Sequence, residues 1–389
     1  MSDADRVNIA FVEEVTFGTS PSATMDRLRF TSESLNMETD TVQSAEISND
    51  RQVKGVIRTN IRGAGDINFE LSYDVIDAFL QAALFSSAWS SQVDVLAEST
   101  SVSGQVFTAA AGTPFSVFSA GQWISISAFT TETANNGVFK IESIGGSGAN
   151  MTVSGGTTVT QSAESADFQM GAQVVNGTTL NSYSIEREYT DLSNEFEVFR
   201  GMSVDQLALN IATNALITGV VSIVGKDSIS ATSSPGSGYT AAPTNDVMNT
   251  IDHIDKIVEG DGSNAAAAAT AITMQIANNL RGRMLVGNLG AASIGQGKFA
   301  PTGTLQKYFA SKTLMDKYLN QTETALAIIL QVGTTEAYVF EFPAIKFVSG
   351  QRVAGGENTD IIADMNWVAY KHATEAITMR VVKFADVTP

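Results

Sequence analysis

Short apolar runs with a period of two, cut at close intervals by glycine, constrain this 389-residue chain more than any other feature. Ile67, Phe69 and Leu71 alternate with polar residues, and Leu207, Leu209 and Ile211 alternate with polar or small ones. Successive side chains of a strand point to opposite faces, so such runs predict half-buried strands. Between about 92 and 178 the turn signals crowd together: Gly121, Asn136-Gly137, Gly145-Gly146, Gly155-Gly156 and Asn176-Gly177. The runs between them include 123–126, 138–141 and 151–153. Asn136-Gly137 predicts a two-residue hairpin, whose turn takes positive φ at both central residues. The stretch 92–178 is therefore read as an all-β, immunoglobulin-like module inserted into a host domain.

Two segments break the strand period in the same way. Ser72 precedes Val75, Ile76, Phe79 and Leu80; Ser311 precedes Leu314, Met315, Tyr318 and Leu319. Each set forms one stripe on a helix, with the serine as its predicted cap. Each follows a Gly-rich segment and a strand, and strands follow each. Two readings are open, an internal duplication or a chance recurrence of two α+β units. The fold class is mainly β, a sandwich plus one helix per unit. The expected division is 1–91 and 179–232 for the first unit around the module 92–178, a Ser/Pro/Gly linker over 233–244, and 245–389 for the second unit.

Several function classes find no support. The chain has no cysteine, which removes disulfides, thiolate catalysis and cysteine zinc sites. His253 and His372 have no metal-ligand spacing. Gly225-Lys226 and Gly297-Lys298 lack the earlier glycine and the following Ser or Thr of a phosphate loop. Asp252, Asp255, Glu259 and Asp261 lack the order of a calcium loop. No catalytic, cofactor or metal set is expected, and the chain is read as a non-enzyme. The acidic N-terminus has no apolar core of a signal peptide, and no apolar run is long enough to span a bilayer. A soluble protein made in the cytoplasm is expected.

The net charge of −18 fits either plain solubility or a surface that repels a polyanion. Against it stands one basic cluster, Arg51, Lys54, Arg58 and Arg62. It reads as a solvated loop, as an arm that docks on the next acidic copy of the chain, or as a nucleic-acid patch, the last without interleaved aromatic residues.

The segments 51–58 and 63–73, followed in order by 199–202, 278–283 and 357–360, resemble the tail tube (major tail) proteins of long, non-contractile tailed bacteriophages. The likeness covers most of the chain outside the module. It implies a β-sandwich with one helix and a long loop, here 31–62, and domains that close into sixfold rings around a β-barrel lumen. Rings stack, the loop reaches the adjacent ring, and viral DNA passes through the bore without specific binding. With two such units per chain the expectation is a trimeric ring with pseudo-sixfold symmetry; the alternative is a hexamer of single tube domains. Arg51, Lys54, Arg58 and Arg62 become the inter-ring docking loop. Glu186, Glu188, Glu195 and Glu197, on or between predicted strands, become candidates for an acidic lumen. Partners implied by the family are the chain itself and the tape measure, tail terminator and tip proteins. The location implied is the virion tail, assembled in the host cytoplasm. The competing class is another structural β protein, a capsid decoration or surface-layer subunit.

Overall fold

The computed structural model describes residues 3–260, 263–264, 269–333, 336–354 and 356–385. In the first half the strands are β1 (Val7–Glu13), β2 (Thr24–Leu28), β3 (Ser32–Glu33), β4 (Asn36–Gln43) and β5 (Val56–Glu70), followed by helix α1 (Asp77–Ala83). Six strands then form the module: β6 (Val93–Ser103), β7 (Val106–Ala109), β8 (Trp123–Ser127), β9 (Gly137–Gly145), β10 (Asn150–Ser154) and β11 (Gln161–Met170). The host resumes with β12 (Ala172–Val175), β13 (Tyr183–Tyr189), β14 (Phe196–Ala212), β15 (Thr218–Val224), β16 (Asp227–Ala231) and β17 (Gly238–Thr240). The second half holds β18 (Ile254–Glu259), β19 (Ser263–Asn264), β20 (Ala269–Ala277), β21 (Arg281–Arg283), β22 (Ser293–Gly295) and β23 (Thr302–Tyr308). After helix α2 (Thr313–Leu319) come β24 (Thr324–Val332), β25 (Glu336–Arg352), β26 (Ile362–Ala369) and β27 (Arg380–Phe384). The mainly β fold class holds.

Two long strands organise the host. The first part of β14 lies between β13 and β16, and its last part lies between β15 and β20. Likewise β25 begins between β24 and β27 and ends against β26. A long strand that serves two sheets must bend, and bulges supply the bend. β14 shifts register against β13 just before Met202 and against β15 after Val204. β25 shifts against β24 just before Ile345 and against β26 after Phe347. The bulges thus match Met202 with Ile345 and Val204 with Phe347. The neighbours match too: β1 pairs β13 as β18 pairs β24, and β15 pairs β5 as β26 pairs β23.

Each half therefore has an outer sheet and an inner sheet. The inner sheets are joined across the β14–β20 ladder into one surface, in the order β3/β4, β5, β15, β14, β20, β23, β26, β25. One hydrophobic core runs between the layers of both halves, from Phe11, Phe79 and Tyr183 through Leu207 and Ile272 to Phe340 and Trp367. Aromatic pairs fix its geometry, with Phe11 and Phe79 centroids 4.9 Å apart and Phe342 and Trp367 4.7 Å apart.

Four local expectations are corrected. The helices start at Asp77 and Thr313, and neither has a side-chain cap. Ser72 is fully buried and bridges Val247, so Val75 and Ile76 fill the turn before α1 whereas Leu314 and Met315 lie inside α2. Second, the module is a closed barrel, β10-β7-β6-β11-β8-β9, around Phe107, Phe115, Phe139 and Phe168, where the two separate sheets of an immunoglobulin-like sandwich were expected. Closure of a single sheet leaves no open edge in so small a unit. Third, Asn136-Gly137 is no two-residue turn. Asn136 instead bonds the Phe129 N–H and C=O across the longer β8–β9 connection. Fourth, the stretch 31–62 is mostly a β4–β5 ribbon, preceded by β3 against β5, with 44–55 as its tip outside the ladder. Within the 233–244 stretch, β17 adds to β2 in parallel.

The module leaves and rejoins the host at one point, where the Ser90 N–H donates to the Gln173 C=O at 2.9 Å. From there it folds back onto the second half. Its Trp123 and Val138 are buried with Val258, Ala327, Ile329, Val339, Val382 and Phe384 on the outer sheet β18–β24–β25–β27.

Candidate assembly surfaces

Alternation assigns the two faces of the joined inner sheet. Ile67, Val221, Leu209, Met274, Leu305 and Met365 point into the core. Their sequence neighbours form the opposite face, which is concave and encloses an open space of about 1000 Å³. Its lining mixes amide and hydroxyl side chains, such as Asn68, Asn210, Thr273, Gln275, Thr304 and Asn366, with the apolar Ala208, Val220, Val348 and Val368. The Gln275 amide donates to Gln206 at 2.7 Å across the β14–β20 ladder, and Thr273 and Thr304 hydroxyls meet at 2.8 Å. Charge enters this face at Asp66, Glu70 and Asp364, whose register positions lie opposite Ser222, Thr218 and Gln306, and at Lys346 opposite Val368. Side chains that hydrogen-bond one another along a sheet offer few strong anchors to a passing polyanion, which is held mainly by Lys and Arg.

The four glutamates predicted for the bore lie off this face. Glu186 is buried in the outer sheet and accepts a hydrogen bond from Tyr239 at 2.6 Å. Glu188 pairs with Arg27 at 2.7 Å, and the Arg27 guanidinium stacks 3.8 Å over the Tyr239 ring. Glu197 pairs with Arg187 at 2.7 Å, and Glu195 is exposed before β14. Burial and the adjoining Glu186 push the Tyr239 hydroxyl up to about 12. None of the four lies on the concave face.

The basic cluster lies along one ribbon. Arg62 Nε donates to Glu38 at 2.5 Å across the β4–β5 ladder, and Lys54 stands 3.8 Å from Asp50. Arg58 is exposed opposite Thr41, and Arg51 takes a positive φ of 59° in the tip. Apolar side chains are exposed on the same ribbon, Ile47 at 98% and Ile57 at 63%. Sequence reasoning caught the charges and missed these apolar neighbours, which no period marks as buried or exposed.

Both histidines serve turns: Nδ1 of His253 accepts from the Asn249 N–H, and Nδ1 of His372 from the Glu375 N–H. Among the described residues no group of three or more His, Cys, Asp or Glu is gathered to hold a metal ion. No helix among them is long and apolar enough to cross a membrane.

The module's seat carries an ionic cluster. Lys140 donates to Glu341 at 2.6 Å and to Glu375 at 2.9 Å. Arg380 contacts the same two carboxylates at 3.1 and 2.7 Å, and donates to the Gly121 C=O of the module at 2.6 Å. Nearby, burial pushes the Lys256 ammonium down, against the pull of Asp255, where it sits 4.7 Å from the Phe139 ring.

No match is found among curated proteins. A family model described as phage tail tube protein matches residues 4–369, through both halves and the module. A β-rich chain with a joined, concave inner sheet fits that description, and the chain belongs to the phage tail tube protein family.

Proposed function

We propose that the chain is a structural subunit of the phage tail tube, three copies of which close into a ring whose concave sheet faces line the channel. Membership of the family supports a self-assembling component of the virion tail. The finer reading rests on one observation, the two matching strand schemes fused in a single inner sheet. Two tube units per chain, 1–91 with 179–232 and 245–389, bridged by 233–244, make three chains equivalent to six units. The module 92–178 sits on the outer sheet and so lies away from the bore.

Viral DNA slides along a lining of amides, hydroxyls and small apolar side chains, in which the carboxylates Asp66, Glu70 and Asp364 outnumber Lys346. Rings stack head to tail, an open arrangement. The ribbon with Arg51, Lys54, Arg58 and Arg62 docks on an acidic neighbouring ring, its exposed Ile47 and Ile57 adding apolar contact. The family implies the tape measure, terminator and tip proteins as further partners, and assembly in the host cytoplasm. The role is structural, without catalysis.

Purified protein under negative stain tests this reading. Hollow tubes of uniform bore are expected, and Arg58→Glu with Arg62→Glu shortens or abolishes them while the thermal unfolding temperature stays within a few degrees. Discrete closed shells or flat sheets would point instead to a decoration or surface-layer role.

A further inference from the structure

The inner sheet has two open lateral edges among the described residues. β3 and β4 pair only with β5, and the last part of β25 pairs only with β26. In the first half the strand that corresponds to this part of β25 is not open, because the end of β14 is covered by β20. An open edge is a template for pairing with another chain, and natural proteins either blunt such edges or use them.

The internal junction shows what fits there. From Val204 matched with Phe347, the ladders match Ile223 with Trp367, Gly65 with Gly303, and Leu35 with Met274. Chemistry independent of the ladders agrees with this frame. The Asp66 N–H donates to the Ser34 hydroxyl at 3.0 Å, and at the matched place the Thr304 N–H donates to the Thr273 hydroxyl at 3.1 Å. Leu35 and Met274 are both buried. So β3 and β4 correspond to β20, and the two open edges are the two sides of the β14–β20 junction.

We infer that the end of β25 pairs antiparallel with β4 of the next copy of this chain, in the register that β14 and β20 use within it. Gln206 opposite Ala277 and Ala208 opposite Gln275 then become Ser349 opposite Glu38 of the next copy and Gln351 opposite Asn36 of the next copy. The Gln206–Gln275 hydrogen bond is replaced by polar contacts among Ser349, Gln351 and Asn36, beside Glu38 and its partner Arg62. The contact is heterologous, so copies add head to tail until the sheet closes. The inference rests on the tube reading and gives it a residue-level seam.

The chain has no cysteine, so an introduced pair reports alone. Directly opposed residues of an antiparallel ladder have Cα atoms about 4.5–5.5 Å apart, within disulfide range, whereas a pair slipped by two residues falls at about 7–8 Å. Tubes assembled from the Asn36→Cys, Gln351→Cys variant and oxidised are expected to give covalent multimers on a non-reducing denaturing gel. The slipped pair Asn36→Cys, Val353→Cys is expected to stay monomeric. If the first pair prevents assembly, Glu38→Cys with Ser349→Cys carries the same test one step along the ladder. Tubes that cross-link through the slipped pair, or through neither aligned pair, overturn the seam and leave the tube reading standing. Failure of the unaltered chain to form tubes overturns that reading itself.

Discussion

Lys140, Glu341, Glu375 and Arg380 hold the module on the second half through groups that titrate. Burial alone would raise the Glu375 carboxyl, but Lys140 and then Arg380 outweigh it and hold it below its ordinary value of 4.5. Burial alone would lower the Lys140 ammonium, but Glu341 and Glu375 outweigh it and raise it above its ordinary 10.5. A depressed carboxyl contributes stability above its unfolded pKa, and that contribution is lost as pH falls through the folded one. A raised ammonium contributes below its unfolded pKa and is lost as pH rises through the folded one. The seat is therefore firmest between these limits and loosens below about 4.5. Lys140→Met should cost roughly 1–3 kcal/mol at neutral pH, less than for a wholly buried pair, because the Lys140 side chain is 23% exposed. Thermal unfolding against pH checks this: the gap between variant and parent should shrink in acid, and a constant gap would remove charge pairing from the account. Sequence alone gave no hint of the cluster, since Lys140 lies 201 and 235 residues from Glu341 and Glu375 along the chain. Gly65 and Gly303 are the opposite case. Both were visible as glycines, yet only the fold explains them. A Cβ on Gly303 would stand 2.1 Å from the Thr273 carbonyl oxygen, and one on Gly65 would stand 2.6 Å from the Leu35 backbone.

At the scale of elements, the period of two located strands well and could not say which face each presents. A one-residue change of register exchanges the faces, so facing is a property of the ladder and not of the run. Glu186 and Glu188 show the consequence. They alternate as a lumen-facing pair would, and they lie on the outer sheet, where the bulges match them with Ala327 and Ile329 of the second half. The matched positions differ in polarity for a physical reason. Tyr239 and Arg27 cover the glutamates, while the module buries the alanine and isoleucine. The helices were legible as stripes, although their caps were not: Ser72 lies in a backbone bridge to Val247, well before Ile76, the residue that leads into α1. The sequence marks the module as a turn-rich insertion, and the fold gives it an apolar seat on the host. Joining Ser90 to Gln173 through a short turn should bare Val258, Ile329, Val339 and Phe384, at roughly 1.5–3 kcal/mol for each large side chain returned to water. The shortened chain should aggregate. Adding Ala327→Glu and Ile329→Glu, which copies the first half's outer face, should recover soluble protein. Sedimentation of the two shortened chains decides: equal solubility would mean that the seat is not what the module protects.

At the scale of the whole molecule, two matched halves with one closed junction and, among the described residues, two open edges set the arithmetic of assembly. Within the chain the joined sheet passes from the first unit to the second through a polar, register-defined ladder. If the same ladder joins copies, every junction around the ring is alike in backbone, and only the side chains alternate between two kinds. Closed rings satisfy all edges at once, which removes the aggregation hazard of an unpaired strand. The module breaks the likeness of the halves, since only the second half's outer sheet carries it. A ring of three chains therefore has near-sixfold symmetry at its bore and threefold symmetry at its rim. Two measurements meet on this point. Native mass spectrometry of disassembled tubes should give a species of three chains, and cryo-EM of intact tubes should show six similar sectors inside three outer projections. Six projections around one bore would mean six whole chains per ring, and the pairing of β25 with β4 would then have to be given up along with the threefold count.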